Sequence, residues 1–491
     1  MSHAKAPHAE SALVPRRSFL QGLSAAAVAT ALPRAIAQSN FINQSSSINW
    51  KAIPTPVDRD VLAAQLSDLL QANSPELMNF AVEAYATCIL GKILPPDPPL
   101  KHAWIVPGGG FIGQWLWDTM FVVDLLSLLP GQAEIIRGVF QNYWDFQQRW
   151  NAVKPDFMHG MVANFIKPYD APGHDRGSDW QTFPAYSQAP LLAWGMERVY
   201  LRNRDAGLIR AGIQPLEDFH EWYWRERDLT GIGLVGVGSY SGVTQHARYE
   251  TYDFEVDLDC LRMIPHPGRP TGPANGAWYG NIAIPANTAY LLLSELALAR
   301  MATIVGNHDL AARRRARYDK GAAAMRKYMW DDTGACFLAI DFETRKKVVS
   351  PTVGSFMALM ARVPTQQQAA AMAAQLQTLA WATPLPIPTV ARSNPRFVSS
   401  SYWRGDVWPA PNYQVITGLA AYGFHDLAAH IADLTLANAL RVGISEHYDS
   451  ISGRKLGVPG LGMSSTMLTM ALDGLTSSAY SIRVRQPAIN A

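Results

Sequence analysis

The chain has 491 residues, 48% of them hydrophobic and 17% charged, with a formal net charge of +2. That is enough apolar material for a large core, and the near-neutral balance gives no electrostatic footprint for nucleic acid or an anionic membrane surface. The 15 Trp and 18 Tyr stand out, because their flat apolar faces and polar edges suit stacking on sugar rings as well as core packing. The three cysteines, Cys88, Cys260 and Cys336, are far apart and lack C-x-x-C spacing. They form neither a disulfide framework nor a zinc site, and the expectation is mostly buried free thiols.

Residues 1–37 read as an address. Pro15-Arg16-Arg17-Ser18-Phe19-Leu20 is a twin-arginine arrangement, a mildly apolar run follows from Gly22 to Leu32, and Ala35-Ile36-Ala37 gives an A-x-A cleavage pattern before Gln38. The run is too short to span a bilayer. The twin-arginine (Tat) route exports folded proteins, so the expected location is periplasmic or secreted. The Tat translocase is then a partner during export, and no membrane association remains after cleavage. Residues 38–47 are a polar linker.

From there the pattern is helical. Apolar residues recur at three and four spacing over 61–70, 77–90, 117–129, 135–150, 190–201, 286–304, 311–330, 355–360, 366–379, 412–422, 426–440 and 463–472. Strand-like runs are few, as at 336–340. The loops 151–189, 228–285 and 380–411 are long enough to be functional. Nothing splits the body, so residues 48–485 read as one all-α domain. Helices in successive pairs with long loops at one end point to an (α/α)6 barrel of six hairpins around a pocket. A solenoid is the rival, but no fixed repeat is visible. Gly108-Gly109-Gly110-Phe111-Ile112-Gly113 satisfies G-x-G-x-x-G, and Trp104-Ile105-Val106 before it could be a strand. A dinucleotide site would also need a βαβ unit, and the more natural reading is a mobile loop over the pocket mouth.

Two C-terminal stretches carry the most specific signal. Tyr402-Trp403-Arg404-Gly405-Asp406-Val407-Trp408-Pro409 with Asn412, and Glu446-His447-Tyr448-Asp449 with Gly453, resemble the YWRGPVWP…N and E-x-Y-D signatures of the clan of trehalases, processing α-glucosidase I and mannosylglycerate or glucosylglycerate hydrolases. Trp115-Leu116-Trp117-Asp118-Thr119-Met120-Phe121 is similar to the clan's W-x-W-D-S-x-F segment, Ser187-Gln188-Ala189-Pro190 to its S-Q-P-P, and Ile284-Pro285-Ala286-Asn287 to its V-D-L-N. The resemblance runs in order from about 104 to 475. It implies an exo-acting inverting hydrolase of α-linked glucosides or mannosides, such as short oligosaccharides, disaccharides or glycosyl-glycerates.

Inverting hydrolysis needs one carboxyl to protonate the leaving oxygen and a second, ionised, to activate water on the opposite ring face. The resemblance places the base at Glu446; otherwise that residue is a solvated loop glutamate. Asp118 becomes a hydroxyl anchor, since a carboxylate accepts two donors at once. Trp115, Trp117, Trp403 and Trp408 become subsite walls or core, with Gln188 and Tyr448 beside them. Arg404 fixes a hydroxyl or forms a structural ion pair. The acid is harder to place. Aligning the clan's E-S-G-x-D loop on Ser241-Gly242 puts Thr244, which cannot donate, at the acid position. Aligning on Tyr249-Glu250-Thr251-Tyr252-Asp253 puts Asp253 there, with Glu250 and Glu255 behind it. Asp253, Glu255, Asp257 and Asp259 alternate along one segment. Mutual repulsion there would favour a protonated acid; a calcium site or a solvated acidic edge are the alternatives. No other cofactor or metal is expected. Two rival functions remain: a sugar-binding protein of the same fold that has lost its acid, and a dinucleotide-dependent oxidoreductase.

Overall fold

The computed structural model describes residues 56–153, 156–171, 187–239, 261–265 and 278–485. In chain order the helices are α1 (Arg59–Leu69), α2 (Pro75–Ala84), α3 (Leu116–Leu126), α4 (Ala133–Val153), α5 (Leu192–Asn203) and α6 (Ala206–Arg227). They continue as α7 (Pro285–Ile304), α8 (His308–Ala324), α9 (Gln366–Leu376), α10 (Pro409–Ala421), α11 (His425–Val442) and α12 (Thr466–Leu472). Starts follow local chemistry. Proline opens α2, α7 and α10, where its missing N–H leaves no bond unmade, and the Ser74 hydroxyl accepts from Leu77 N at 3.2 Å.

An inner ring closes on itself: α3 packs on α5, α5 on α7, α7 on the 3-10 segment Val353–Leu359, and that segment on α10. From α10 the ring passes to α12 and its preceding turn Gly462–Ser465, which returns to α3. Burial explains the assignment. Every residue of α3 is buried, as a helix apolar all round must be. The outer α8 buries only Leu310, Arg314, Gly321, Ala322 and Ala324. With α4, α6, α8, α9, α11 and α2 outside, this is the six-hairpin (α/α)6 barrel.

A buried charge network ties the ring. Arg198 and Arg202 on α5 grip Asp124 on α3 at 2.8 and 3.0 Å, and both reach Asp473 just past α12 at 2.8 and 2.7 Å. The Tyr413 hydroxyl on α10 donates to Asp473 at 2.9 Å. Asp124→Ala leaves a buried cation uncompensated and should cost about 3–5 kcal/mol. Thermal melting checks this, and a loss below about 1 kcal/mol would remove the network from the account of ring closure.

Three expectations change. First, α6 has no counterpart in the sequence reading, because Pro215 and a dense charged and aromatic sequence hid its period; it still buries Leu208, Leu216, Phe219 and Trp222. Second, the stretch expected as a helix at 355–360 is a 3-10 segment, capped reciprocally by Thr352 and Ser355. Third, the glycine stretch is not a dinucleotide loop, and it packs against Val458. Trp104–Ile105 pairs antiparallel with Ile93–Leu94, and every described strand pair is antiparallel, so the βαβ unit required by the oxidoreductase reading is missing from this region. Gly108 and Phe111 close a turn, and Gly109, at φ +57, lies so near Val458 that a Cβ would come within 2.6 Å. Cys88 and Cys336 are buried and free, while Cys260 lies outside the described residues. No described helix is long and apolar enough to cross a membrane.

Candidate active site

The two C-terminal motifs meet at one end of the ring. After α11, β1 (Ser445–Tyr448) pairs antiparallel with β2 (Lys455–Pro459). Val407 and Tyr448 exchange backbone hydrogen bonds at 2.8 and 2.9 Å, which joins the first motif to the second. Ser445 faces Pro459 but His447 faces Leu456, so β2 carries an extra residue and bulges. Gly457 occupies the bulge at φ +70, where a Cβ would lie 2.4 Å from Glu446 Oε2. The bulge aims Val458 N–H at that oxygen, at 2.8 Å.

Glu446 is 1% exposed. Its other oxygen, Oε1, accepts from the Tyr402 hydroxyl at 3.3 Å. Tyr402 holds a left-handed backbone at φ +56, a conformation that costs a bulky residue on the order of 1–3 kcal/mol and is kept where the surroundings demand it. A carboxylate has about four lone-pair sites, so two bonds leave room for a water molecule. Burial pushes the Glu446 pKa above the ordinary glutamate value, against the pull of His447, the Val458 amide and Tyr402.

Asp118, in the first turn of α3, lies close enough to feel the charge of Glu446. Burial raises its pKa to about 7, its own backbone N–H lowers it, the charge of Glu446 raises it further and Gln188 lowers it. Gln188 is the bracket: its Oε1 accepts from Trp117 N at 2.8 Å, and its side chain hydrogen-bonds Asp118. Glu446, Asp118, Gln188 and Trp117 are thus brought together as the motifs implied. A carboxyl whose pKa is raised on folding binds more protons folded than unfolded, so it destabilises the fold as pH rises from its unfolded value through about 7. Asp118→Asn should therefore gain up to about 4 kcal/mol at pH 8 and nothing at pH 4, while lowering kcat/KM by about 10²-fold through the lost hydroxyl anchor. Melting curves and initial rates at the two pH values check both signs.

The tryptophans divide. Trp408 stacks on Trp403 with centroids 3.7 Å apart and on His447 at 4.8 Å, at 6° and 14°. Rings parallel at those distances lie on opposite sides of Trp408, which leaves it no face for a sugar. Trp115 is half-buried against Phe165 at 4.8 Å and Phe111 at 5.8 Å, and Trp117 is 4% exposed with its edge on Phe121. Tyr448 turns into the core: its hydroxyl accepts from Ser445 N at 3.1 Å and donates to Gly443 O at 3.0 Å, so it braces the hairpin. Asp449, drawn down to about 2 chiefly by the Ser400 hydroxyl against the cost of burial, caps the turn through Ile451 N and Ser452 N at 2.8 and 3.0 Å. Arg404 is half-buried at the end of the turn Tyr402–Arg404.

Sequence reasoning missed Tyr402, Gly457 and Val458. Tyr402 stands at the head of a motif already singled out, but a hydroxyl's target is not written in a motif. The bulge that gives Gly457 and Val458 their roles depends on strand register, which no local pattern specifies.

The loop in which the sequence reading sought the acid is described only at its stems, where Gly238–Ser239, Trp278–Gly280 and Met263–Pro265 form a three-stranded antiparallel sheet. Asn287 fastens the entering stem, its side chain donating to Gly236 O at 3.4 Å, and Thr288 Oγ1 accepts from Val235 N at 3.1 Å. Thr244, Glu250, Asp253, Glu255, Asp257 and Asp259 lie outside the described residues, and with them the calcium alternative. Among the described residues no group of three or more His, Cys, Asp or Glu is placed to hold a metal ion.

The family described as the mannosylglycerate hydrolase MGH1-like glycoside hydrolase domain matches residues 112–472. The mannosylglycerate hydrolase of Thermus thermophilus is 23% identical over 413 residues, which are 75% of this chain and 96% of that enzyme. The mannosylglycerate hydrolase of Rubrobacter radiotolerans is 29% identical over 394 residues, 69% of this chain and 86% of that enzyme. The structure of a GH63 mannosylglycerate hydrolase, also from Thermus thermophilus, in complex with Tris and D-glycerate superposes with a TM-score of 0.62 at 20% identity, over 80% of this chain and 100% of that one. At that identity the shared property is the (α/α)6 fold.

Proposed function

Because the chain belongs to the mannosylglycerate hydrolase MGH1-like glycoside hydrolases, we propose that it is an exo-acting inverting α-glycosidase with Glu446 as its general base. The observation that carries this reading is Glu446 itself. It is a buried carboxylate fixed by one backbone amide and one phenol, with lone pairs to spare and near enough to Asp118 for its charge to raise that carboxyl's pKa. In the proposed reaction Asp118 accepts hydroxyls of the terminal sugar and Gln188 holds Asp118 in place. Glu446 takes a proton from a water molecule as that water attacks the anomeric carbon. The partner acid comes from the loop between Ser239 and Leu261, with Asp253 first and Glu250 behind it, ~6.5–9.5 Å from the base. The leaving group departs with the acid's proton, and water adds from the opposite face.

The relatives' substrate points to an α-mannosyl or α-glucosyl unit on glycerate, with short α-linked disaccharides as the wider class. We further place the mature protein in the periplasm or outside the cell, exported by the Tat translocase and then cleaved before Gln38. The test is a screen of protein beginning at Gln38 against α-mannosylglycerate, α-glucosylglycerate and trehalose, reading free mannose or glucose. Release from at least one, lost in Asp253→Asn, is the expected result. Tight sugar binding with no release from any would replace the hydrolase with the sugar-binding reading.

A further inference from the structure

The base is steadied by a tyrosine that is itself held in a costly conformation. Tyr402, whose hydroxyl donates to Glu446 Oε1 at 3.3 Å, has φ +56, and Ser400, two residues before it, has φ +65. Two left-handed non-glycine residues so close together cost backbone energy and persist where contacts over-determine them. Trp408 supplies part of the hold. Its ring meets Tyr402 edge-on with centroids 4.9 Å apart, and its Nε1–H donates to Tyr402 O at 3.4 Å.

The rest falls on Ser400. Its N–H donates to Asp406 Oδ1 at 2.7 Å and its hydroxyl donates to Asp449 Oδ2, while the Ser399 hydroxyl donates to Asp449 Oδ1 at 2.8 Å. Asp406 is 0% exposed and Asp449 6%. The backbone explains how two buried carboxylates reach one serine. Val407 and Tyr448 pair antiparallel, so Asp406, just before Val407, and Asp449, just after Tyr448, are neighbours across that bridge. Burial pushes the Asp406 carboxyl above its ordinary value, the Ser400 amide pulls it back and the Asp449 charge raises it again. Glu446 lies on the same strand, β1, so the two carboxylates and the base ride on one frame. Asp406 stands where the YWRGPVWP signature carries proline. A proline side chain has no acceptor, so the bond to Ser400 N–H is this chain's own.

We propose that Asp406 and Asp449 are positioning residues for the base: they clamp Ser400 from two sides, which holds the segment 400–402 so that the Tyr402 hydroxyl stays on Glu446 Oε1. The clamp is a matter of geometry alone. Its effect on rate rests on the reading of Glu446 as the base.

The first test needs no substrate. Protein beginning at Gln38 is labelled with 3-fluorotyrosine, and the fluorine signal of Tyr402 is assigned by its loss in Tyr402→Phe. Glu446→Gln should shift that signal, because it changes the group that the phenol touches. In Asp406→Ala the same change at Glu446 should shift it by less than half as much. In Asp406→Asn, whose amide oxygen still accepts from Ser400 N–H, the shift should be close to the parent's. Ser400→Ala removes only the hydroxyl on Asp449, is the milder change, and should weaken the response as well; it decides the matter if Asp406→Ala does not fold. A full response in either alanine variant would mean that Trp408 packing alone seats Tyr402. That result, or no shift in the parent, overturns the proposal and leaves the glycosidase reading standing. The second test uses kinetics on α-mannosylglycerate. Asp406→Ala and Tyr402→Phe should each lower kcat about 10-fold with KM near its parent value, and the double variant should fall no further. Asp406→Asn should recover most of the loss. Losses that multiply would overturn the clamp. A weakened fluorine response in a protein that hydrolyses nothing would support the clamp and sink the hydrolase reading alone.

Discussion

Glu446→Gln will lower kcat by about 10³-fold while leaving KM and the melting temperature near their parent values. The substitution keeps the volume and lets the amide oxygen accept from Val458 N–H or Tyr402, so the hairpin and its packing survive. What it removes is the ability to take a proton from water. The same residue sets the acid side of the pH profile. Burial holds its pKa above the ordinary glutamate value, and the working form is the ionised one. As pH falls, the active fraction therefore begins to drop at a higher pH than for a solvated glutamate. Initial rates across pH 4 to 8 together with melting curves check both statements. A variant within tenfold of the parent would take Glu446 out of the chemistry.

Gly457→Ala will be the most damaging substitution of a residue that touches no substrate, with kcat/KM down about 10²-fold or more and stability down about 1–3 kcal/mol. Two costs add. At φ +70 an alanine is strained where glycine is not. Its methyl would also lie 2.4 Å from Glu446 Oε2 and 2.8 Å from Glu446 Cβ, so the carboxylate must leave its place between Val458 and Tyr402. Gly453→Ala separates the two costs. Gly453 has the same φ of +70, but its added Cβ would meet Asn438 and Arg441, away from the base. It should lose stability and keep kcat. Equal kinetic losses in both variants would mean that the effect is general destabilisation rather than displacement of Glu446.

These two residues mark where the sequence was legible and where it was not. The six-hairpin plan could be read because inner helices such as α3 and α7 are apolar nearly all round while outer ones bury a stripe, and that contrast is a property of the chain itself. Helix α6 escaped because Pro215 interrupts its period and because its buried Trp222, Tyr223 and Trp224 sit among arginines and glutamates. Glu446, Asp118 and Gln188 were legible through motifs in collinear order. Their meeting across the ring, with Glu446 raising the pKa of Asp118, is a tertiary fact. Trp408 shows the reverse error: a tryptophan in the right motif looks like a sugar platform until Trp403 and His447 are found on its two faces. Tyr448 looked like a site residue for the same reason, and its hydroxyl serves the hairpin backbone instead. Asp406 Oδ2 comes within 2.8 Å of His447 Nδ1 across forty-one residues of sequence (447 − 406 = 41), a separation at which no local pattern predicts contact.

The central claim is that Glu446 delivers water to the face of the sugar opposite the leaving group. Proton NMR of the first turnovers on an α-mannosyl or α-glucosyl glycerate, read before the free sugar mutarotates, tests it most directly. The account predicts that the β-anomer appears first and the α-anomer grows in only afterwards. Initial release of the α-anomer would mean retention through a covalent intermediate and would contradict the role given to Glu446.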